Sequence, residues 1–282
     1  MLVARRVKSA ANRGALIRSM AIRSMAIWIF SSAASTAGGA SACNAGPWIV
    51  IESASVADAR TIVPDDGRAV RLAGLESLAA LARDPKTAGA LDTRLAARLA
   101  QWLAAKPLRI RVLPGRPDRH GRHAALIMVG DELIQEHLLS AGLAVFMPGS
   151  LPGEASDVCA RRLLALEAAA RLARRGGWSD PGIVVAAARP DALSSQFGHF
   201  VIFQGIVQSV GTRRDRTYID FGRQWRSDVT IEITAARRRY FGGEAALERL
   251  AGKSVRVRGY LQDKAGPMVL VRHPAQIEVL PD

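Results

Sequence analysis

Between Thr212 and Asp228 the run TRRDRTYIDFGRQWRSD sets Arg213, Arg214, Arg216, Arg223 and Arg226 among Tyr218, Phe221 and Trp225. Guanidinium groups track phosphates and aromatic faces stack bases, so this mixture suits a single-stranded nucleic acid. The same spacing also fits aromatic residues turned into a β core with arginines on solvated turns. From Gly198 onward 14 Arg/Lys stand against 9 acids. Arg237, Arg238 and Arg239 read most simply as a solvated charge run. His120 and His123 are three apart and lack a third partner for a metal, and neither cysteine has zinc-site spacing.

Charge points the same way. The chain of 282 residues has a formal charge of +14, and residues 43–282 still hold 33 Arg/Lys against 25 acids. A basic excess favours a polyanionic partner, nucleic acid or an anionic surface. An apolar fraction of 49% is enough for buried cores and excludes disorder throughout.

Residues 1–42 hold six Arg/Lys and no acid. An uncharged run from Met25 ends in Ala40-Ser41-Ala42, the pattern of an export signal with an A-x-A cleavage site. The run spans 18 residues rich in Ser, Gly and Ala, too weakly apolar for a membrane span, so cleavage is expected over anchoring and no integral span is expected in the mature chain. The repeated IRSMA leaves Met20 and Met25 open as alternative starts. Cys43 follows the cleavage point, and three fates stay open: a lipid anchor, a disulfide to Cys159, or two free thiols.

The elements that must position these residues form two β series. Trp48–Glu52, Thr61–Val63, Ala69–Leu72, Leu108–Leu113 and Ala124–Val129 read as five strands, with a turn at Asp65-Asp66-Gly67. In LRIRVL the apolar and Arg residues alternate, placing Arg109 and Arg111 on one face. Helices are expected at Asp92–Ala105 with Asp92 as N-cap, at Asp131–Ala141 with Gly142 in the left-handed C-terminal position, and at Ser156–Arg174. A loosely patterned stretch at 182–199 reads as a linker. The second series comprises Phe200–Val210, Arg216–Asp220, Asp228–Ile233, Ser254–Leu261, Met268–Val271 and Ile277–Leu280, with a helix at Glu244–Leu250. This order predicts an α+β protein, mainly β with helices: an OB-type five-stranded barrel with packed helices over 43–181 and a second OB-like barrel over 200–282.

From about residue 48 to 180 the chain resembles the thermonuclease (micrococcal nuclease-like) family. VADART at Val56–Thr61, VRLAGLE at Val70–Glu76, DRHGR at Asp118–Arg122, the helix ending in SAGLAVF and LEAAARLARRGGW carry the resemblance in order. It implies a phosphodiesterase in which two aspartates hold Ca²⁺, a glutamate serves as base and two arginines grip the phosphate. Such a site needs a metal to neutralise charge, a base to supply the nucleophile, and guanidinium forks matching phosphate oxygens.

By motif position the phosphate arginines are Arg71 and Arg122, and Glu76 joins them as a catalytic and metal-facing carboxylate. Asp58 is the other implied metal carboxylate. The first metal aspartate itself falls on Arg60, which turns from ligand to phosphate contact, and the base falls on Ala79. Asp84, Asp65 and Asp66 remain as relocated carboxylates.

The resulting expectation is an exported protein, periplasmic or extracellular, that binds nucleic acid or another polyanion with phosphodiester hydrolysis reduced or lost. It expects no cofactor, with Ca²⁺ only where the nuclease site still works. An active calcium-dependent nuclease using relocated carboxylates is the alternative, and an envelope interaction module without nucleic-acid binding is the third reading.

Overall fold

A computed structural model describes residues 43, 46–105, 107–149, 151, 156–224 and 226–281. The expected export segment 1–42 and Trp225 lie outside the described residues.

The first series begins with β1 (Ile49–Ile51), β2 (Ala54–Asp58), β3 (Thr61–Pro64), β4 (Val70–Leu72) and β5 (Leu75–Ser77). Then come α1 (Pro85–Leu103), β6 (Leu108–Val112), β7 (His123–Val129), β8 (Glu132–Leu133), α2 (Ile134–Ser140), β9 (Ala144–Phe146) and α3 (Ser156–Leu172). Their main sheet runs β1-β6-β7-β4-β3-β2, and β4 and β7 are its parallel pair.

α1 starts seven residues before the expected Asp92, because Asp84 caps it by accepting from the backbone N–H of Lys86 and Thr87. Pro85 at the first helical position has no N–H to leave unsatisfied. The helix buries Leu91, Leu95, Leu99 and Leu103, one face at i,i+4 spacing. α2 starts later than Asp131 because Glu132 and Leu133 are drawn into β8 against β7. Gly142 takes the expected left-handed conformation, φ 65°.

The second series is β10 (Val184–Ala186), α4 (Pro190–Ser194), β11 (Phe200–Ile206), β12 (Ser209–Thr212), β13 (Arg216–Asp220), β14 (Thr230–Thr234), α5 (Glu244–Glu248), β15 (Ser254–Asp263), β16 (Pro267–Leu270) and β17 (Ile277–Val279). Its core path β11-β15-β16-β14-β13-β12 repeats the strand order of the first sheet, with β14 and β16 as the parallel pair. The two halves are two uses of one topology.

The protein is α+β. Among the described residues no sheet closes by continuous pairing into a barrel, which corrects the closed form expected from the strand count. In each half the path ends on two segments consecutive in the chain, β1 and β2 or β11 and β12. The break falls at Glu52-Ser53 and at Val207-Gln208, where the strand leaves one neighbour for another.

The stretch 182–199 is structured rather than a bare linker. Val184 and Val185 pair in parallel with Ile202 and Phe203, and Leu193 is buried in the second core. A further core cluster mixes Leu78, Val145 and Trp178 with Phe200 and Ile202 of the second series. The described residues from Cys43 to Pro281 belong to one compact unit.

Candidate functional site

Pairing brings the first-half residues together. Thr61 lies opposite Arg71 across β3 and β4, and Arg71 opposite Ala124 across β4 and β7. Arg122, just before β7, donates from Nη1 to the Thr61 hydroxyl at 2.6 Å, and that hydroxyl donates to Asp58 Oδ2 at 2.8 Å. Three arginines and three carboxylates therefore meet around Thr61: Arg60, Arg71, Arg122, Asp58, Glu76 and Asp118.

Asp118 organises Arg71 and Arg122. It accepts from Arg122 Nε at 3.0 Å and from the backbone N–H of His120 at 2.8 Å and Arg122 at 3.1 Å, and it lies 3.9 Å from Arg71 Nε. Desolvation opposes its charge, but the Arg122 N–H and guanidinium and the His120 N–H outweigh that and hold the carboxyl far below the usual carboxylate range. At Asp58 desolvation is likewise outweighed, here by the Arg60 N–H, the Thr61 hydroxyl and N–H, and the Arg122 charge, so its pKa is lowered too.

Glu76 is 3% exposed. Its Oε1 accepts from the Arg60 guanidinium and from the Ser77 N–H at 3.1 Å, and its Oε2 accepts from the Tyr260 hydroxyl at 2.9 Å. Burial, then the Glu76 charge and hydrogen bond, push the Tyr260 phenol up to about 12. Arg60 thus turns to a carboxylate rather than joining Arg71 and Arg122 as a third open fork.

Calcium does not fit these residues. Both oxygens of Glu76 are engaged, a guanidinium occupies the approach to it, and Ala79 is a buried methyl without a proton acceptor. Among the described residues no group of three or more His, Cys, Asp or Glu is arranged to hold a metal ion. Each of the relocated carboxylates has a local partner of its own. Asp84 caps α1, Asp66 pairs with Arg68, and Asp65 accepts from the Glu52 N–H.

The Arg-aromatic run of the second half divides. Phe221 belongs to the core, edge-on to Phe203. Arg216 is held by Asp215 and Glu232 at 2.7 and 2.9 Å. Arg213, Arg214, Arg223 and Arg226 are exposed. Tyr218 lines an open cleft of about 450 Å³ with Arg213, Asp220, Glu232, Lys264 and Met268. The run at 237–239 is not purely solvated. Arg238 donates to Thr217 and to the Arg213 carbonyl and pairs with Glu244, while the Arg237 and Arg239 guanidiniums lie over the Tyr240 ring.

No family model matches the chain, and no curated protein matches it.

Cys43 and Cys159 form a disulfide with their Cα atoms 4.9 Å apart, so the Cys43 thiol that a lipid anchor needs is already bonded. No helix among the described residues is long and apolar enough to cross a membrane. Sequence reasoning missed Asp118, Thr61 and Tyr260 as site members. Asp118 was findable, since an Asp four residues before Arg122 in a Gly-containing turn is placed to accept from both backbone and guanidinium. Tyr260 lies 184 residues from Glu76, and no local signal links them.

Proposed function

We propose that this is an exported nucleic-acid or polyanion-binding protein built on a thermonuclease-like OB domain and a second OB-like domain, with phosphodiester hydrolysis lost. The observation that carries the loss is Glu76: the carboxylate at the metal position is ion-paired to Arg60 and hydrogen-bonded by Tyr260. A cation already stands where a divalent ion would have to enter.

The OB-type reading is supported by the shared strand order, by the parallel pair between third and fifth strands, and by a helical segment between third and fourth strands in each half. The disulfide supports export, since such bonds persist in oxidising compartments. Polyanion binding is supported by the basic excess and by Arg71, which is partly exposed and only loosely tied to Asp118.

Two assays test the proposal. Single-stranded DNA should not be hydrolysed in calcium, because losing a general base alone removes about two to four orders of magnitude. An oligonucleotide should bind equally with calcium or with chelator and weaken steeply with salt, and Arg71→Ala should lower the log–log salt slope by about 0.7. Turnover abolished by chelation would overturn the first point, and no binding at low salt the second.

A further inference from the structure

We propose that the cleft on the second sheet is a binding site for one unstacked base of a single-stranded nucleic acid, with a preference for bases carrying an exocyclic amino group. The proposal rests on the nucleic-acid reading above and assigns that ligand a second seat, away from Arg71 and Arg122.

Register builds the floor in two rows. Gly211, Tyr218 and Glu232 are cross-strand neighbours on β12, β13 and β14, and Ser209, Asp220, Thr230 and Met268 form the adjoining row across to β16. Gly211 matters because it stands directly beside Tyr218. A Cβ built there meets nothing within 4 Å, so the space next to the phenol ring is open. Arg213 enters from the turn after β12 and Lys264 from the turn before β16, so each end of the cleft carries a cation.

Partnering decides what the cleft takes. Glu232 is neutralised and buried: its oxygens receive two cations, Arg216 at 2.9 Å and Lys264 at 3.1 Å, and its side chain is 5% exposed. Asp220 accepts the Thr230 hydroxyl on Oδ1 at 3.0 Å and the Ser209 hydroxyl on Oδ2 at 3.2 Å. A carboxylate offers about four lone-pair sites, so Asp220 keeps acceptor capacity on both oxygens. The Arg213 guanidinium and the Tyr218 hydroxyl have no partner among the described residues.

The unspent groups are thus a cation, an aromatic face and a carboxylate acceptor. A phosphate chain along the floor would meet Asp220, so phosphates belong at the rim, on Arg213 and Lys264, with a base over Tyr218. A base can stack on a side chain and show its edge to Asp220 only when it has left a duplex. Cytosine, adenine and guanine present an amino donor to that carboxylate; thymine has no amino group, and its N3–H is flanked by two carbonyl oxygens that a carboxylate repels.

The test compares short labelled oligo-dC and oligo-dT on the full chain and on variants. Oligo-dC should bind about tenfold more tightly, the lower range of one discriminating base contact. Asp220→Asn, which swaps half the acceptor for a donor, should erase the preference. Tyr218→Ala should weaken both oligonucleotides about tenfold. Tyr218→Phe should bind like the parent, which separates loss of the stack from loss of the fold. Gly211→Val, a β-favouring residue placed in empty space, should fold normally and block binding.

Binding lost in the Arg71→Ala, Arg122→Ala double variant but untouched by Tyr218→Ala and Gly211→Val would overturn the cleft and leave the broader function standing. Equal affinity for the two oligonucleotides would overturn the amino-base preference. Displacement of the oligonucleotide by a neutral N-acetylglucosamine oligomer would reassign the cleft to sugars. No oligonucleotide binding by the parent at low salt would remove both readings.

Discussion

At the scale of single residues, the first-half site is a balance of three guanidinium groups against three carboxylates, and the balance turns on Arg60. Glu76 is buried, and a buried carboxylate needs a cation, a metal ion or a proton. Arg60→Asp takes the cation away and leaves Glu76 with the Tyr260 and Ser77 donors alone. Truncating a fully buried pair costs about 3–5 kcal/mol; here the Arg60 side chain is 44% exposed, so about 2 kcal/mol is expected. Two carboxylates would then face each other, and calcium should raise the melting temperature of this variant while leaving the parent unchanged, because a ligand stabilises only the state that binds it. Calcium-insensitive melting of Arg60→Asp would show that the pocket cannot take a divalent ion even when cleared.

Asp118 supports a second expectation at this scale. Its folded-state pKa lies below the unfolded value of about 3.9, so its stabilising contribution is complete above that pH and declines as pH falls below it. Urea midpoints measured between about pH 5 and 3 should fall with acid, and Asp118→Asn should reduce the fall. A variant as acid-sensitive as the parent would remove Asp118 from the account.

Elements explain what the sequence could and could not disclose. Strands such as Arg216–Asp220 were legible because β-branched alternation and flanking turns are local. The start of α1 was not, since Lys86, Thr87 and Gly89 obscure the apolar period that begins in earnest at Leu91, although Asp84-Pro85 carried the capping signal. β5 and β9 are three residues each and exist only through pairing with one another, Leu75 to Phe146, which no local pattern encodes. That Arg71 and Arg122 lie close together was legible from their motifs, whereas the partners they found depend on Thr61 lying opposite Arg71.

Gly142 is the element-scale position where sequence and structure agree most sharply. It ends α2 at φ 65°, and a Cβ there would stand 2.1 Å from the Arg175 carbonyl oxygen in the turn that ends α3. Gly142→Ala should cost more than the about 1–2 kcal/mol of a left-handed L-residue, because backbone rather than a flexible side chain blocks it. Chemical denaturation reads this directly, and a loss under about 1 kcal/mol would mean that the two helix ends separate easily.

For the whole molecule the question is whether two halves of one topology behave as two bodies. Arg258 in β15 is fully buried and donates to Glu167 of α3 at 2.6 and 2.9 Å, to the Phe146 carbonyl at 3.2 Å and to Glu278 of β17. Arg171 bridges the same two glutamates at 2.8 and 3.3 Å. Burial opposes the Arg258 charge, and the two carboxylates outweigh it. This network and the mixed core around Trp178 make the halves one unit, so the parent should unfold in a single transition. Arg258→Met keeps the aliphatic stem and leaves buried Glu167 with only Arg171 and the Phe146 N–H as partners, for an expected loss of about 3 kcal/mol, the lower end for a broken buried pair. At about 2–4 °C per kcal/mol that is a fall on the order of 10 °C, with the transition splitting as the halves uncouple. Adding Glu167→Leu removes the buried charge that has lost its main partner and should recover part of the loss, since an ion pair and a well-packed apolar pair of similar size are often near in stability. A double variant no more stable than Arg258→Met would show that the Phe146 contacts, rather than the charge pair, hold the halves together.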